Sequence, residues 1–303
     1  MTRILVTGSS GFIGSTLVSK LSRNKLYDLS VCDFKQSSRF HTIHPSRLKN
    51  LLKSFDVVIH LGAVSETNAT NSEQVFNKNI LQTLNILQHT DPSCKIIYAS
   101  SASVYGNNTT RLPSKEMPEY EKCNSKYSQS KLIIDNIVRN FFDHKNCVGL
   151  RFFNVCSFNL EHNKKQPSPT FSFNQELLKN KTITLFEDSE KVFRDFIYID
   201  DVIDIIQFFI DKEDFVSDIL NVGSGTSISF EQVANAFITK FGYGKKKYIP
   251  RPNNITTNYQ HYTQADISKL RSCGYNKTIP TILDCINIYE RYTTTNSDCL
   301  VVS

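Results

Sequence analysis

The sequence predicts an α/β fold in which helices cover both faces of a doubly wound parallel sheet. Short apolar runs alternate with helical patterns through the first half of the chain, and a glycine-rich turn joins the first run to the first helix. Strands that alternate with helices form parallel sheets, and continuous apolar runs indicate strands buried on both faces. With 303 residues, the chain is long enough for two domains.

Residues 1–155 carry the regular alternation and are predicted to form the first domain. Its strands are predicted at Ile4–Thr7, Leu29–Asp33, Val57–Leu61, Lys95–Ser100 and Val148–Asn154. Its helices are predicted at Gly14–Leu21, Val75–Gln88 and Lys131–Phe142. This order of elements is typical of a doubly wound sheet.

Residues 156–303 are less regular and are predicted to form a smaller α/β domain, interleaved with the first because some of this chain returns to it. A polar segment with two prolines, Asn159–Thr170, is predicted to be a loop. Helices are predicted at Phe171–Leu178, at Val202–Asp211 after the capping residues Asp200 and Asp201, from a Ser229/Gln232 capping box to Phe241, at Asp266–Cys273 and at Ile282–Tyr292. Strands are predicted at Phe196–Ile199 and Ile219–Val222.

The net charge of +6 is modest and spread along the chain. Its densest cluster, Lys245–Lys247, is predicted to be a solvated turn rather than a nucleic-acid surface, and the positive sign suits an anionic small substrate. The eight cysteines form no C-x-x-C pair, so we expect reduced thiols and no metal site. The sequence contains neither a secretory signal pattern nor an apolar run of about 18 residues. We therefore expect a cytoplasmic protein with no membrane and no nucleic-acid partner.

The segment Thr7–Gly14 reads T-G-S-S-G-F-I-G and lies between the first strand and the first helix. Gly8 allows a tight turn, Gly11 lets the backbone approach a pyrophosphate, and Gly14 allows close packing of the helix on the strand. The free N–H groups and the positive dipole end of the helix then favour phosphate. The position and the spacing together predict dinucleotide binding.

Asp33 ends the second predicted strand, where a carboxylate accepts hydrogen bonds from the adenosine ribose hydroxyls and favours NAD. Lys35 and Arg39 follow closely, and they are either solvated loop cations or ligands for the 2′-phosphate of NADP. NAD is therefore the expected cofactor, with NADP possible.

Tyr127 and Lys131 form a Y-x-x-x-K pair that a helix places on one face. A lysine cation stabilises a phenolate and lowers the pKa of the tyrosine, which suits an acid/base. Ser101 follows the fourth predicted strand, where doubly wound sheets bind ligands, and its hydroxyl can hydrogen-bond the oxygen that Tyr127 deprotonates. The three residues predict an acid/base site that acts on a hydroxyl group.

In order and spacing, these residues resemble the extended short-chain dehydrogenases/reductases that modify nucleotide sugars, over nearly the whole chain. The motifs that carry the resemblance are the Gly8/Gly11/Gly14 loop, His60-Leu61-Gly62-Ala63, Asn79 to Thr83, Ser101, Tyr127/Lys131, Arg151-Phe152-Phe153-Asn154-Val155 and Arg194-Asp195-Phe196-Ile197-Tyr198-Ile199-Asp200-Asp201-Val202. The resemblance implies a Rossmann-type first domain, an NAD(P) cofactor, a nucleotide-diphosphate sugar as substrate, and a homo-oligomer.

The resemblance also implies a role for each matching residue. Tyr127 would be the acid/base, Lys131 its pKa partner and a ribose ligand, and Ser101 the partner of the substrate hydroxyl. Asn154 would contact the substrate phosphate or sugar, and the guanidinium of Arg194 would clamp the diphosphate. The implied cofactor-binding residues are Gly8, Gly11, Phe12, Ile13, Gly14, Asp33, Lys35, Leu61, Gly62, Ala63, Asn79, Tyr127 and Lys131. The implied substrate-binding residues are Ser65, Ser101, Asn154, Lys164, Phe186, Arg194 and Tyr259.

Three matching residues also have plain structural interpretations. His60 fits a packed histidine at a strand end better than a catalyst, and Asn79 fits a residue that positions its helix better than a direct ligand. The alternative for Arg194 is a surface ion pair with a neighbour such as Asp195.

The second half narrows the resemblance to ADP-glycero-manno-heptose 6-epimerases. The segments that carry it are Leu185-Phe186-Glu187, Arg194-Asp195-Phe196, Asn221-Val222-Gly223-Ser224-Gly225 and Tyr259-Gln260-His261-Tyr262-Thr263-Gln264-Ala265-Asp266. In that family the sugar is oxidised to a ketone, turned and reduced by the same cofactor, with a tyrosine and a lysine as alternate acid/bases. Three positions depart from the family: Asn163 replaces the second base ahead of Lys164 and Lys165, Asn258 replaces an arginine, and His44 lies where relatives carry an aspartate for adenine.

We therefore expect a nucleotide-sugar epimerase that acts on a heptose or a related hexose of surface polysaccharide. Asn163 in place of the second base favours a single-face reaction. That reaction is either epimerisation by hydride return to the other face of a rotated ketone or a simple oxidation or reduction, so a net redox reductase or 4-dehydrogenase is the alternative. A dehydratase is disfavoured because Ala102 and Ser103 stand where the family's dehydratases carry Asp-Glu. A non-catalytic cofactor sensor on the same fold is the remote alternative, against which the intact Ser101, Tyr127 and Lys131 set argues.

Overall fold

The structure is a computed structural model that describes residues 1–37, 39–64, 72–142, 146–159, 167–215, 217–252 and 260–290, without the side chains of Ser72 and Gln74. The chain divides into two compact units. The first comprises residues 1–104, 121–152 and 203–220, and the second comprises residues 105–120, 153–202 and 221–303. The assignment of residues 1–155 to the cofactor and residues 156–303 to the substrate stays a prediction.

The regular elements alternate along the chain as the periodicity predicts. The strands are β1 (Thr2–Thr7), β2 (Tyr27–Cys32), β3 (Thr42–Ile43), β4 (Val57–His60), β5 (Lys95–Ser101), β6 (Cys147–Phe152), β7 (Asn154–Cys156), β8 (Thr182–Phe186), β9 (Phe193–Tyr198), β10 (Asp218–Val222), β11 (Ser227–Ser229) and β12 (Lys245–Ile249). The α-helices are α1 (Phe12–Leu21), α2 (Ser72–His89), α3 (Lys126–Phe141), α4 (Pro169–Asn180), α5 (Ile199–Asp211), α6 (Phe230–Phe241), α7 (Ser268–Ser272) and α8 (Ile282–Asn287).

The main sheet has seven strands in the order β10-β6-β5-β4-β1-β2-β3. The six strands from β6 to β3 pair in parallel with their neighbours. The order along the sheet reverses between β1 and β4, and doubly wound sheets bind ligands outside the carboxyl ends of the strands at such a point. This sheet confirms the predicted α/β fold.

Continuous apolar runs form the centre of the main sheet because both of its faces are buried. Ile4, Leu5 and Val6 of β1 have no exposed surface. Helices α2 and α3 cover one face, and Ile86 and Ile134 belong to the same apolar cluster as Leu5. Burying side chains of this size stabilises the fold by roughly 1.5–3 kcal/mol each.

The second unit contains two small sheets, β11-β9-β7 and β12-β8. Strand β12 pairs in parallel with β8 and holds the three lysines at positions 245–247, so the prediction of a solvated turn there is wrong. The ammonium of Lys246 is hydrogen-bonded to Glu231, and Tyr248 donates to the same carboxylate at 2.8 Å. The charges therefore lie along a strand edge that helix α6 helps to neutralise.

Helix boundaries in the second unit follow local capping chemistry. The Ser229/Gln232 capping box is confirmed, because the Gln232 N–H donates to Ser229 Oγ at 3.1 Å and the Ser229 N–H donates to Gln232 Oε1 at 2.9 Å. Asp200 and Asp201 lie inside the first turn of α5 rather than before it. At this position they still complement the helix dipole.

Helix α4 begins inside the segment that was predicted to be a loop. Pro169 occupies the first turn, where its missing N–H costs nothing, and Ser168 Oγ caps the helix by accepting from the Phe171 N–H at 3.3 Å. The two prolines of this segment therefore flank a helix start rather than exclude one. Helix α8 ends at Asn287, and residues 291–303 lie outside the described part of the chain.

In the described residues, no helix combines the length and the apolar character that a bilayer crossing requires. Seven cysteines lie in this part of the chain, and all are free thiols.

Candidate active site

A cavity of about 480 Å³ opens in the first unit beside the glycine-rich turn. Six of the residues expected to bind the cofactor line it: Gly8, Gly11, Asp33, Leu61, Gly62 and Ala63. They come from the carboxyl ends of β1, β2 and β4, which flank the point where the strand order reverses. The fold thus brings together residues that the sequence separates by more than fifty positions.

Two glycines make this cavity possible. Gly8 has a φ of +69°, and a Cβ on it would lie 2.5 Å from the backbone nitrogen of Gly62. A Cβ on Gly14 would lie 2.1 Å from the Gly8 carbonyl oxygen. Glycine at these two positions therefore lets the turn pack closely against Gly62 and helix α1, so that backbone atoms line the cavity, which fits a pyrophosphate. Phe12 and Ile13 open helix α1 directly beyond it, where the first N–H groups have no intrahelical acceptor.

Asp33 holds its carboxylate at the cavity through local hydrogen bonds. Its Oδ2 accepts from the Ser10 N–H at 2.9 Å, and its Oδ1 accepts from the Lys35 N–H at 3.2 Å. The guanidinium of Arg39 lies 5.4 Å from the ring of Phe40. The carboxylate is thus oriented in the wall of the cavity, and its binding of ribose hydroxyls stays a prediction.

His44 stands where relatives carry an aspartate for adenine, so this position supplies no carboxylate to the cavity. Its Nδ1 is hydrogen-bonded to Ser46 Oγ at 2.8 Å, and its ring packs edge-on against Phe34 at 5.5 Å. Phe34, Pro45 and Leu48 line the cavity there instead. This part of the cavity wall is therefore more apolar than the family pattern implies.

Helix α2 supplies three polar residues to the cavity that the sequence analysis missed. Lys78, Gln82 and Asn85 all line it. Their spacing of four and three residues puts them on one helical face, and this spacing is the signal that could have found them.

His60 is a packed, neutral histidine, as predicted. It is 5% exposed, and its two ring nitrogens contact Thr7 Oγ1 at 2.7 Å and Thr83 Oγ1 at 3.1 Å. Thr83 donates its own proton to the Asn79 carbonyl at 2.9 Å, so His60 Nε2 must carry the proton that Thr83 accepts. Burial, together with the smaller effect of the Lys131 cation, lowers the pKa of His60 to about 3.

A buried polar chain continues from His60 to the helix that carries Tyr127. Asn79 Nδ2 donates to Ser130 Oγ at 3.2 Å, and Ser130 Oγ donates to the Tyr127 carbonyl at 2.7 Å. The Asn79 side chain also bonds both backbone groups of Val64: it accepts from the N–H at 2.8 Å and donates to the carbonyl at 3.2 Å. The side chain of Asn79 therefore positions the backbone on two sides, as the structural interpretation predicted.

Ser101, Tyr127 and Lys131 meet at the carboxyl end of β5. The Ser101 hydroxyl lies close enough to the Tyr127 phenol to lower its pKa, and it accepts from the Ser103 N–H at 3.2 Å. The Lys131 ammonium donates to the Ala99 carbonyl at 2.7 Å and lies 5.9 Å from the centre of the Tyr127 ring. The hydroxyl of Ser103 is buried and has no hydrogen-bond partner among the described residues.

The pKa of Tyr127 differs from the expected one. Burial raises the pKa of Tyr127 above 10.0, and the nearby Ser101 hydroxyl lowers it only in part. The expected lowering by Lys131 is wrong because that ammonium bonds the Ala99 carbonyl rather than the phenol. Burial also lowers the pKa of Lys131 to about 8, and the carboxylate of Asp135 opposes this shift.

The second unit holds three of the residues expected to contact substrate. Arg194 is 6% exposed, donates to the Phe193 carbonyl at 2.9 Å and lies over the ring of Phe230. The Asn154 side-chain oxygen accepts from Thr263 Oγ1 at 3.4 Å.

Phe186 packs under a cation that the sequence analysis missed. The guanidinium of Arg251 lies 5.5 Å from the Phe186 ring centre and donates to Asp188 at 2.7 Å. Ser65, Lys164 and Tyr259, together with the departures Asn163 and Asn258, lie outside the described residues.

Asp195 is not arranged as an ion-pair partner of Arg194. The two are consecutive in β9, so their side chains leave the strand on opposite faces. The Asp195 carboxylate accepts from the N–H groups of Ser224, Gly225 and Ala265 at 2.7–3.0 Å. Burial raises its pKa to about 6 despite these hydrogen bonds.

Comparison with known proteins agrees with this geometry. A sequence model described as the NAD dependent epimerase/dehydratase family matches residues 4–223. The structure is similar to that of Helicobacter pylori ADP-L-glycero-D-manno-heptose-6-epimerase, with 29% sequence identity, a TM-score of 0.81, and coverage of 97% of this chain and 96% of that chain.

Two further structures share the fold at lower sequence identity. A UDP-N-acetylglucosamine 4-epimerase from Methanobrevibacter ruminantium is 21% identical, with a TM-score of 0.82 and coverage of 97% of this chain and 99% of that chain. UDP-glucuronic acid 4-epimerase from Bacillus cereus, in complex with UDP-glucuronic acid and NAD, is 24% identical, with a TM-score of 0.76 and the same coverage. Because the family match extends over more than half of the chain, this protein belongs to the NAD dependent epimerase/dehydratase family and is an NAD-dependent enzyme of the extended short-chain dehydrogenase/reductase type.

Proposed function

We propose that this enzyme is a nucleotide-sugar epimerase that oxidises one sugar hydroxyl transiently and reduces the resulting ketone again. The observation that carries the proposal is the meeting of Ser101, Tyr127 and Lys131 at the carboxyl end of β5. The similarity to the Helicobacter pylori heptose epimerase supports an ADP-heptose or a related sugar nucleotide as the substrate class.

In this proposal Tyr127 takes the proton from the reacting hydroxyl and later returns it. Ser101, which lies near the phenol, would bond the same substrate oxygen and fix its distance from Tyr127. Lys131 would stabilise the phenolate once its ammonium turns from the Ala99 carbonyl towards the phenol, since an ammonium next to a phenol favours its ionised form. The Ser103 hydroxyl, buried and without a protein partner in the described chain, would bond a second substrate oxygen.

NAD, when bound, supplies a reversible acceptor for the hydride that leaves the sugar carbon. The backbone at Gly8, Gly11 and the start of α1 would hold its pyrophosphate, and Asp33 its adenosine ribose. Lys78, Gln82 and Asn85 would contact it from helix α2. Lys131 would also bond the nicotinamide ribose.

On the substrate side, Arg194 would clamp the diphosphate, because a guanidinium bonds two phosphate oxygens at once. Its stacking over Phe230 orients the guanidinium plane before any substrate binds. Asn154 and Phe186 would contact the sugar nucleotide, together with Ser65, Lys164 and Tyr259.

The test is to incubate the purified protein, without added cofactor, with ADP-, GDP- and UDP-sugars. We expect a new isomer of unchanged mass, seen by chromatography and NMR, with no net change in the absorbance of reduced nicotinamide. Tyr127→Phe should reduce turnover by about 100-fold or more while leaving NAD binding intact. Tyr248→Phe, at an exposed tyrosine of β12, is the matched control and should retain full activity. Full activity of the Tyr127→Phe variant would refute the proposal.

Net redox chemistry is the second candidate, and Asn163 in place of the family's second base is the observation that favours it. A residue without acid/base function at that position limits proton transfer to the Tyr127 side. In that case turnover would require added oxidised or reduced cofactor, and the product would differ from the substrate by two hydrogens. The same incubation therefore separates the two candidates.

A further inference from the structure

Helix α3 and strand β5 are held in register by polar contacts at regular intervals. Tyr127 lies near Ser101, and one helical turn later the Lys131 ammonium donates to the carbonyl of Ala99 at 2.7 Å. Four residues of helix rise about 6 Å, and two residues of strand rise about 6.6 Å. The helix and the strand therefore run in opposite directions with nearly matched repeats.

Asp135 continues this series one turn further along the helix. Its Oδ1 accepts from the Tyr98 phenol at 2.9 Å, and its Oδ2 accepts from Ser100 Oγ at 2.9 Å. Tyr98 and Ser100 flank Ala99, whose carbonyl binds Lys131. Asp135 thus fixes the strand on both sides of the peptide that receives the Lys131 ammonium.

The charge of Asp135 is itself compensated inside the fold. Arg151 of β6 donates from Nε to Asp135 Oδ2 at 2.8 Å, and neither side chain has exposed surface. Arg151 also bonds Glu121, which accepts from Arg139 at 2.9 Å. The buried carboxylate therefore keeps a full hydrogen-bond set and a cation, which an ionised group in a protein interior requires.

We propose that Asp135 is the positioning residue of the catalytic pair: it fixes the site at which the Lys131 ammonium lies and stabilises its positive charge. The proposal rests on the proposed function in that it concerns the same acid/base site. Asp135 acts through Lys131 and Ala99 and contacts neither the phenol nor a ligand. Replacing Asp135 would leave helix α3 formed, but it would change the charge and the position of Lys131.

The electrostatic surroundings of Lys131 support this assignment. Burial lowers the pKa of Lys131 to about 8, and Asp135 is the group that raises it. The other titratable groups that face Lys131 are Tyr127 on its own helix and His60 on β4. Both are neutral near pH 7, because burial raises the pKa of Tyr127 and lowers that of His60 to about 3. Arg151, beyond the carboxylate, is a cation. Asp135 is therefore the negative group near the lysine.

The proposal is tested by titrating Lys131 directly, without turnover. NMR of the full-length protein with ¹³C-labelled lysine would follow the Lys131 Cε shift against pH, with Lys131→Met to assign the signal. In Asp135→Asn we expect the midpoint to fall by about one unit or more, since an opposite charge at close range shifts a pKa by roughly 1–3 units. Asp56→Asn, which removes an exposed carboxylate paired with Arg3, is the matched control and should leave the midpoint unchanged.

A second pair of variants separates charge from position. Asp135→Glu keeps the negative charge but moves it by one methylene, so we expect the midpoint to stay within about half a unit while kcat falls about 10-fold or more. If Asp135→Asn does not fold because Arg151 is left unpaired, Asp135→Asn combined with Arg151→Met removes both charges and should still lower the midpoint. An unchanged Lys131 titration in these two charge-removing variants would overturn the proposal. That result is independent of the sugar-nucleotide assay, whose failure would count against the proposed function alone.

Discussion

Two fully buried aspartates, one in each unit, are satisfied in different ways. Asp135 in the first unit is bonded by side chains, namely the Tyr98 phenol, the Ser100 hydroxyl and the Arg151 guanidinium. Asp195 in the second unit accepts mainly from backbone N–H groups of two loop segments, at residues 224–225 and at residue 265. The first carboxylate thus joins regular elements, whereas the second joins loops.

This difference explains which part of the molecule the sequence can predict. A helix and a strand have fixed repeats, so the spacing of Tyr127 and Lys131 already implies that they share a face. A loop has no repeat, so the sequence does not reveal that Asp195 organises residues thirty and seventy positions away. Each prediction below tests whether these two modes of burial differ in energy as well as in geometry.

The largest effect is expected from Asp195→Ala in the second unit. The substitution leaves three backbone N–H groups and the Ser224 hydroxyl without their acceptor in a buried site, so we expect a loss of about 4 kcal/mol in the free energy of unfolding. Urea denaturation measures it. Asp56→Ala, at an exposed ion pair with Arg3, is the control and should cost under about 1 kcal/mol. A loss for Asp195→Ala as small as that of the control would mean that water molecules accept the hydrogen bonds of these N–H groups instead.

The next effect concerns the buried cation of the first unit. The pKa of Lys131 is about 8 in the folded chain and 10.5 as its ordinary value, so between these pH values the unfolded state binds more protons. Stability from this group therefore rises with pH from about 8 to about 10.5, by about 3 kcal/mol in all. Lys131→Met should lack that rise, and the difference between the two unfolding curves measures it. Parallel curves for the two proteins would show that the pKa of Lys131 is not shifted in the folded state.

Gly149→Ala tests the packing behind Asp135. Gly149 lies opposite Tyr98 across β5 and β6, and a Cβ on it would lie 2.4 Å from the Tyr98 phenol oxygen. The phenol would have to leave Asp135, so we expect a loss of about 2 kcal/mol in stability by thermal unfolding. The ring carbon that would lie 2.5 Å from the Cβ remains in a Tyr98→Phe background, but the same change should cost less there because no hydrogen bond to Asp135 is lost. Equal costs in both backgrounds would mean that the backbone moves to relieve the clash while the Tyr98 phenol keeps its position.

The sequence predicted the alternating strands and helices and six residues that line the cavity, and it did so for definite reasons. The alternation of strands and helices followed from apolar runs, and the turn at Gly8 followed from glycine spacing. The strand at residues 245–249 was missed because three consecutive lysines resemble a solvated turn, whereas pairing with β8 and the contact of Lys246 with Glu231 decide its structure. The role of Asp135 was missed because its partners lie on β5 and β6, and only the register of those strands brings them together.

The smallest effect compares one capping box from each unit. Ser125 caps α3 by accepting from the Ser128 N–H at 3.1 Å, and Ser229 caps α6 with equivalent geometry. Replacing either serine by alanine should cost about 1 kcal/mol of stability. Only Ser125→Ala should also affect turnover, because the first turn of α3 carries Tyr127. We expect its kcat to fall several-fold with NAD affinity unchanged, while Ser229→Ala keeps its kcat. Equal kcat values for the two variants would show that the contact with Ser101 fixes Tyr127 without help from the helix cap.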